Sequence, residues 1–169
     1  SIMVDNNFSS KDYIGIVAND AGASNLILGW IKNNRHLNYL FYLEGPSKKI
    51  FLNYDSNLKN HDSNYILTKS KIIITGTSFF SNIEHNVRKI AKEKKILVIG
   101  VIDHWVNYKI RFIRNNEKIL PDIIWVFDEY AEKKAKLLFK GTNVIKQTNK
   151  YLHNSVKKIN QIETVTNKI

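Results

Sequence analysis

The chain of 169 residues contains no cysteine. That absence excludes a disulfide framework, a zinc ribbon and thiol catalysis together. Long apolar runs are missing too. The longest, such as residues 97–102, fall far short of the ~20 residues that a helix needs to cross a bilayer, and residues 1–10 lack the apolar core of a signal peptide. A cytoplasmic protein without a transmembrane segment is therefore expected. Arginine is scarce, with 4 Arg against 22 Lys. Proteins that read phosphates and bases favour the bidentate fork of Arg, so the formal charge of +11 does not by itself indicate nucleic acid, which is the least favoured partner class.

What is present is enough to build a core. Hydrophobic residues make up 43% and aromatics 11% of the chain, which rules out global disorder, and the length suits one domain of roughly 100–200 residues. The 24 Ile, 22 Lys and 21 Asn are the bias that A/T-rich codons leave at neutral surface positions. The charge is uneven, +2 over residues 1–80 and +9 over residues 81–169. Much of that excess falls at helix-like spacing, as on a solvated face.

Short β-rich runs alternate with helical periodicity. Residues 13–18 form a buried strand, followed by a small-residue loop and a helix carrying Leu26, Ile27, Trp30 and Ile31. Residues 37–43 form a second strand, with Pro46 opening a helix through Phe51; the Asn- and Asp-rich residues 53–64 read as a surface loop. Residues 71–75 form a third strand. After it, Ser81 or Asn82 caps a helix whose stripe is Ile83, Val87, Ile90 and Ala91. The continuous apolar run 96–102 reads as a central parallel strand. Residues 123–127 form another strand, running into a helix with Ala131, Ala135, Leu138 and Phe139. Val144 and Ile145 form a short edge strand, and Leu152, Val156 and Ile159 a final amphipathic helix. This alternation predicts an α/β fold with a mostly parallel sheet. The expected division is a flexible segment 1–12, one domain over 13–163 and a frayed tail 164–169.

Ligands of open parallel sheets bind outside the carboxyl ends of the strands, and the segments there are rich in chemistry. Asn19-Asp20-Ala21-Gly22-Ala23-Ser24 presents small residues and backbone donors before a helix, a setting for a phosphate or carboxylate. It lacks both the dinucleotide fingerprint and a phosphate-loop Lys. Asp20 suits either a sugar hydroxyl or a plain N-cap. Thr75-Gly76-Thr77-Ser78 offers hydroxyls and amides but no nucleophile elbow, and Glu84, six residues beyond Ser78, suits either a surface or capping role or a site group turned back to the strand ends. The densest segment is Asp103-His104-Trp105-Val106-Asn107-Tyr108-Lys109-Ile110-Arg111. Asp103 or His104 is the candidate base, Arg111 a clamp for an anion, and Tyr108 or Trp105 an apolar face for a sugar. Asp128-Glu129-Tyr130 reads as an ordinary helix start. The five histidines have no metal-ligand spacing, so neither a metal nor a cofactor is expected.

Several of these residues carry a resemblance: Asn19-Asp20-Ala21-Gly22-Ala23, Gly45-Pro46, Thr75-Gly76-Thr77-Ser78 with Glu84, the run from Asp103 to Tyr108 with Arg111-Phe112, and Leu120-Pro121-Asp122 to Asp128-Glu129-Tyr130-Ala131. Over roughly residues 13–152 the chain resembles the N-terminal Rossmann-like half of GT-B-type sugar enzymes, the group of many glycosyltransferases and UDP-N-acetylglucosamine 2-epimerases. It is more closely similar to bacterial proteins of surface-polysaccharide biosynthesis. The resemblance implies a three-layer Rossmann-like domain and a site for a sugar or nucleotide sugar. Asp103 and His104 would be catalytic there. Asp20, Gly22, Ser24, Gly76, Thr77, Ser78, Glu84, Asn107, Tyr108 and Arg111 would bind substrate. In such enzymes the first half binds the acceptor and the second the nucleotide, so a partner chain carrying a second half, or a homo-oligomer, is implied. A non-catalytic interaction or regulatory subunit is the alternative class.

Overall fold

The computed structural model describes residues 7–104 and 107–148. Among these residues six strands form the main sheet: β1 (Tyr13–Ala18), β2 (Asn38–Leu43), β3 (Ser70–Thr75), β4 (Leu97–Val101), β5 (Ile123–Val126) and β6 (Asn143–Lys146). All neighbours pair in parallel, in the order β2-β1-β3-β4-β5-β6. The helices are α1 (Ala21–Lys32), α2 (Pro46–Tyr54), α3 (Ser63–Lys69), α4 (Ile83–Glu93) and α5 (Glu129–Leu138). The expected α/β fold with a parallel sheet is the one observed.

Both faces of the sheet are covered, which is why its central strands read as unbroken apolar runs. On β3 the side chains alternate between faces. Ile72 and Ile74 share one face with Ile14, Ile16 and Ile99, against Ile27 and Ile31 of α1 and Phe51 of α2. Ile73 joins Val17 and Val98 on the other face, against Ile66 and Leu67 of α3 and Val87 and Ala91 of α4. That second face continues over Ile124, Val126 and Val144, which α5 covers with Ala131 and Ala135. The result is three layers, Rossmann-like in character. No helix of the described residues is long and apolar enough to cross a membrane.

Three local features differ from expectation. The loop read over residues 53–64 is shorter, because α2 runs through Tyr54 and α3 begins at Ser63. Asp62 caps α3, its Oδ1 accepting from the Tyr65 amide at 2.8 Å, but with only Ile66 and Leu67 buried the short helix shows too little periodicity to read. Between β4 and β5 a 3-10 turn over Ile110–Phe112 leads into a hairpin of Ile113–Arg114 with Glu117–Lys118. Asn115 and Asn116 close it with φ of 50° and 63°, the two left-handed positions that such a tight hairpin turn requires. Packing also begins before Tyr13: Phe8 is buried in the core, and the Asp12 carboxylate accepts from the Ser9 amide at 2.8 Å. The α5 start is as read, with Asp128 Oδ1 accepting from the Ala131 amide at 2.7 Å. The helix expected on Leu152, Val156 and Ile159, the tail 164–169, and Trp105 lie outside the described residues.

Phe51 is fully buried, and its ring lies 5.3 Å from that of Phe41. Phe51→Ala is expected to cost about 3–5 kcal/mol, read as a lower urea midpoint with an unchanged slope; a loss below about 1 kcal/mol would mean that α2 does not seal this face.

Candidate functional site

The strand order places the reversal of chain direction across the sheet between β1 and β3. From β1 the chain moves outward through α1 to β2; from β3 it moves the other way to β4. At such a point the loops after the two strands diverge and leave a crevice. Here those loops are residues 19–20, entering α1, and residues 76–82, entering α4.

On each side a glycine makes room for a carboxylate of the chain. A Cβ on Gly22 would stand 2.0 Å from Asp103 Oδ2, and one on Gly76 would stand 2.0 Å from Glu84 Oε2 and 3.2 Å from the Ala23 Cβ. Two carboxylates therefore lie where any other residue would put a side chain, against the first turn of α1. Asp20 holds the N-cap position of α1, yet its side chain makes no cap hydrogen bond.

Glu84 is 1% exposed. Its Oε1 accepts from the Ser78 amide at 2.8 Å, and Oε2 is buried without a hydrogen-bond partner. Burial pushes this carboxyl up to about 7; the charge of Asp20 raises it as well, while the Ser78 amide, Arg88 and the Asn19 amide pull it down. Burial excludes a surface role for Glu84; the side chain turns back to the strand ends, where it ties down the Ser78 amide.

Asp103, at the end of β4, is tied to Arg111. Arg111 donates from Nη1 to Asp103 Oδ1 at 2.9 Å and to Thr77 Oγ1 at 3.2 Å, and Thr77 Oγ1 donates to the Val101 carbonyl at 2.9 Å. The side chains of Arg111 and Asp103 are 11% and 19% exposed. The positive charge expected to clamp a ligand anion is thus matched by a carboxylate of the chain itself. Ser78 turns its own loop: its Oγ accepts from the Phe80 and Ser81 amides at 3.2 and 3.3 Å.

Asp20, Gly22, Gly76, Thr77, Ser78, Glu84, Asp103 and Arg111 are thereby brought to one end of the sheet. Ser24 is fully buried, and its Oγ has no partner. The Tyr108 ring lies in the core rather than open to a sugar: it stacks at 6.2 Å on Phe139, with Lys134 Nζ 5.0 Å over its ring, and burial pushes its hydroxyl up to about 12. His104 and Asn107 are exposed, Asn107 with a φ of 58°. Among the described residues, no group of three or more His, Asp or Glu is placed to hold a metal.

Two arginines at this site were not anticipated. Arg88 is 1% exposed and donates to the carbonyls of Gly76 and Arg111 at 3.1 and 3.4 Å. Arg114 donates to the carbonyls of Ser78 and Ser81 and to Asn82 Oδ1 at 3.1 Å. The sequence signal for both is scarcity. Where lysine fills the neutral surface, three of four arginines, at 88, 111 and 114, stand where a multidentate donor is needed. One hollow of about 270 Å³ beside Asp122 and Lys95 shares no lining residue with the β1/β3 crevice, and another of about 450 Å³ between α4 and the hairpin, lined by His85 and Glu117, adjoins the β3 loop through Asn82 and Arg114.

Comparison with protein-family models, curated proteins and solved structures finds no match for this chain. Its grouping therefore rests on architecture: an α/β domain with a six-stranded parallel sheet.

The buried carboxyl of Glu84 makes stability depend on pH. In the fold it titrates near 7, and in the unfolded chain near 4.5. Between those values the unfolded chain binds fewer protons at this carboxyl, so its contribution to stability is greatest at the acid end, falls as pH rises towards 7 and levels off above it. The expected fall is about 3 kcal/mol. Glu84→Gln should remove most of that slope in urea titrations at pH 5 and pH 8; equal slopes in both proteins would assign it to another group.

Proposed function

We propose that this chain is a saccharide-binding domain of bacterial cell-surface polysaccharide assembly, the acceptor-side half of a glycosyltransferase-type enzyme. The observation that carries the reading is the gathering of Asp20, Glu84 and Asp103 around the glycine-cleared first turn of α1. A helix N-terminus ordinarily attracts a phosphate. Here that position is filled by acidic groups of the chain; Asp20 and the part-exposed Asp103 would repel a polyphosphate and accept hydrogen bonds from hydroxyl groups, while the buried Glu84 backs them from within. A ligand with many hydroxyls and little charge at that end is the chemistry that fits, and this favours the sugar acceptor over the nucleotide.

In this reading Asp103 is the base. Arg111 fixes Oδ1, and Oδ2 packs beside Gly22; the part-exposed carboxylate would accept the proton of an acceptor hydroxyl from its open side. The hydroxyl oxygen attacks the anomeric carbon of a donor, and the bond to the leaving nucleoside diphosphate breaks with its electron pair. The donor is held by a second half, on a partner chain or a second copy. His104, next in sequence and exposed, is the alternative proton acceptor.

Thermal-shift and calorimetric titration of the chain with free sugars and with UDP, CDP and GDP sugars tests this. Wild type should respond, and Asp103→Asn should bind about 10- to 100-fold more weakly, the loss expected for a charged hydrogen bond; its unliganded melting temperature checks that it folds. His104→Ala should retain binding. Failure to respond to any sugar would place the chain in the other class, a non-catalytic interaction module.

A further inference from the structure

The loop after β3 carries a second feature that the polar site does not use. Phe79 and Phe80 are 52% and 88% exposed, and their rings meet edge to face, 5.5 Å apart at 84°. They follow directly on Ser78, whose amide is bonded to Glu84. Arg114 holds the carbonyls of Ser78 and Ser81 while its guanidinium lies 5.8 Å over the Phe79 ring. Phe79 is thus held between Phe80 and Arg114, and Phe80 presents its ring to solvent.

The size of this patch decides what it fits. Two such rings, each worth about 150–250 Å², expose roughly 200–350 Å² at these fractions. A specific protein partner needs about 800 Å² on each side, whereas one ring of a small ligand is covered by a single aromatic side chain. A saccharide ring has a hydroxyl edge and an apolar C–H face, and the negative face of an aromatic ring attracts the slightly positive C–H groups. The carboxylates supply partners for the first, and nothing in the polar cluster supplies the second.

We infer that Phe80, backed by Phe79, is the platform for the C–H face of a saccharide ring, so that the β3 loop contributes the apolar half of the sugar site. This rests on the saccharide reading above and adds a residue to it. It also accounts for the fixing of two phenylalanines in water by an arginine and a serine hydroxyl instead of their folding inward.

Proton NMR tests the inference, with the methyl glycosides of glucose, galactose, mannose and N-acetylglucosamine, and UDP alone, as probes. For the sugar that binds, ring C–H signals should move upfield in wild type, keep that shift in Phe80→Trp and lose it in Phe80→Ala, with affinity about three- to tenfold weaker in the alanine variant. Phe80 is so exposed that neither substitution should alter the unfolding midpoint. Binding of a glycoside with equal affinity and equal shifts in wild type and Phe80→Ala overturns the platform and leaves the carboxylate site standing. Phe80-dependent upfield shifts of the uracil protons of UDP without any from the glycosides would make it a base-stacking site and overturn the inference. Phe80-dependent binding to phosphatidylcholine–phosphatidylglycerol vesicles with no glycoside shift would also overturn it. No binding of any probe by wild type overturns both proposals.

Discussion

A guanidinium taken out of water needs acceptors in fixed directions, and the ends of β3 and β4 are organised around meeting that need. Arg111 is nearly buried and reaches Asp103 and Thr77. Arg88, beneath it, reaches Thr75 Oγ1 at 3.4 Å and the carbonyls of Gly76 and Arg111, with the Phe112 ring 5.3 Å away. An unpaired buried charge costs several kcal/mol, so these contacts fix the 75–77 segment, Asp103 and the 110–112 turn relative to one another. The loops of an open sheet are ordinarily its most adaptable parts. Here two of them share cations that neither could satisfy alone, and lysine, a single point donor, could not replace the fork.

The same constraint sets the chemistry of the crevice. With Arg111 compensated by Asp103, and with Arg88 lowering the cost of ionising Glu84, the arginines stabilise the chain's own carboxylates and do not form an open anion trap. The close approach of those carboxylates to α1 depends on Gly22 and Gly76, since a Cβ at either would overlap an oxygen. The partial positive charge of the helix end then holds fixed negative groups within the fold. On the saccharide proposal, a ligand at this end would meet hydrogen-bond acceptors first, which is the physical reason that the proposal favours hydroxyls over phosphates.

What could be read from the sequence follows the range of the interactions. The strands were legible because Ile72, Ile73 and Ile74 or Val98 and Ile99 are apolar on both faces, a local property, and the segments meeting at the crevice were legible because parallel sheets bind at strand ends. Buried partnerships were not legible. Tyr108 in a polar run looks like a ligand contact until Phe139, some thirty residues on, is found stacked on it. Arg88 on the stripe of a charged helix looks solvated until the carbonyls of Gly76 and Arg111 are found above it. Glu84 could be read either way for the same reason: its environment comes from α1 and the β3 loop, and no spacing within α4 encodes it.

The strand order sharpens what the resemblance can carry. Dinucleotide-binding domains order their strands 3-2-1-4-5-6, with two strands beyond the first, whereas this sheet has one, the 2-1-3-4-5 order seen in other doubly wound folds with an extra parallel strand at β6. Both orders reverse beside β1, so both open a crevice there, and a shared architecture does not choose among functions. The choice falls to the residues at the crevice. The segments 19–24, 75–78 and 103–111, which carry the sequence resemblance, are separated by tens of residues and by three helices. Nothing in their spacing required Gly22 to lie against Asp103, or Gly76 against Glu84. What brings Gly22, Gly76, Glu84, Asp103 and Arg111 together at one point is the strand order and the buried arginine contacts, which no single segment encodes.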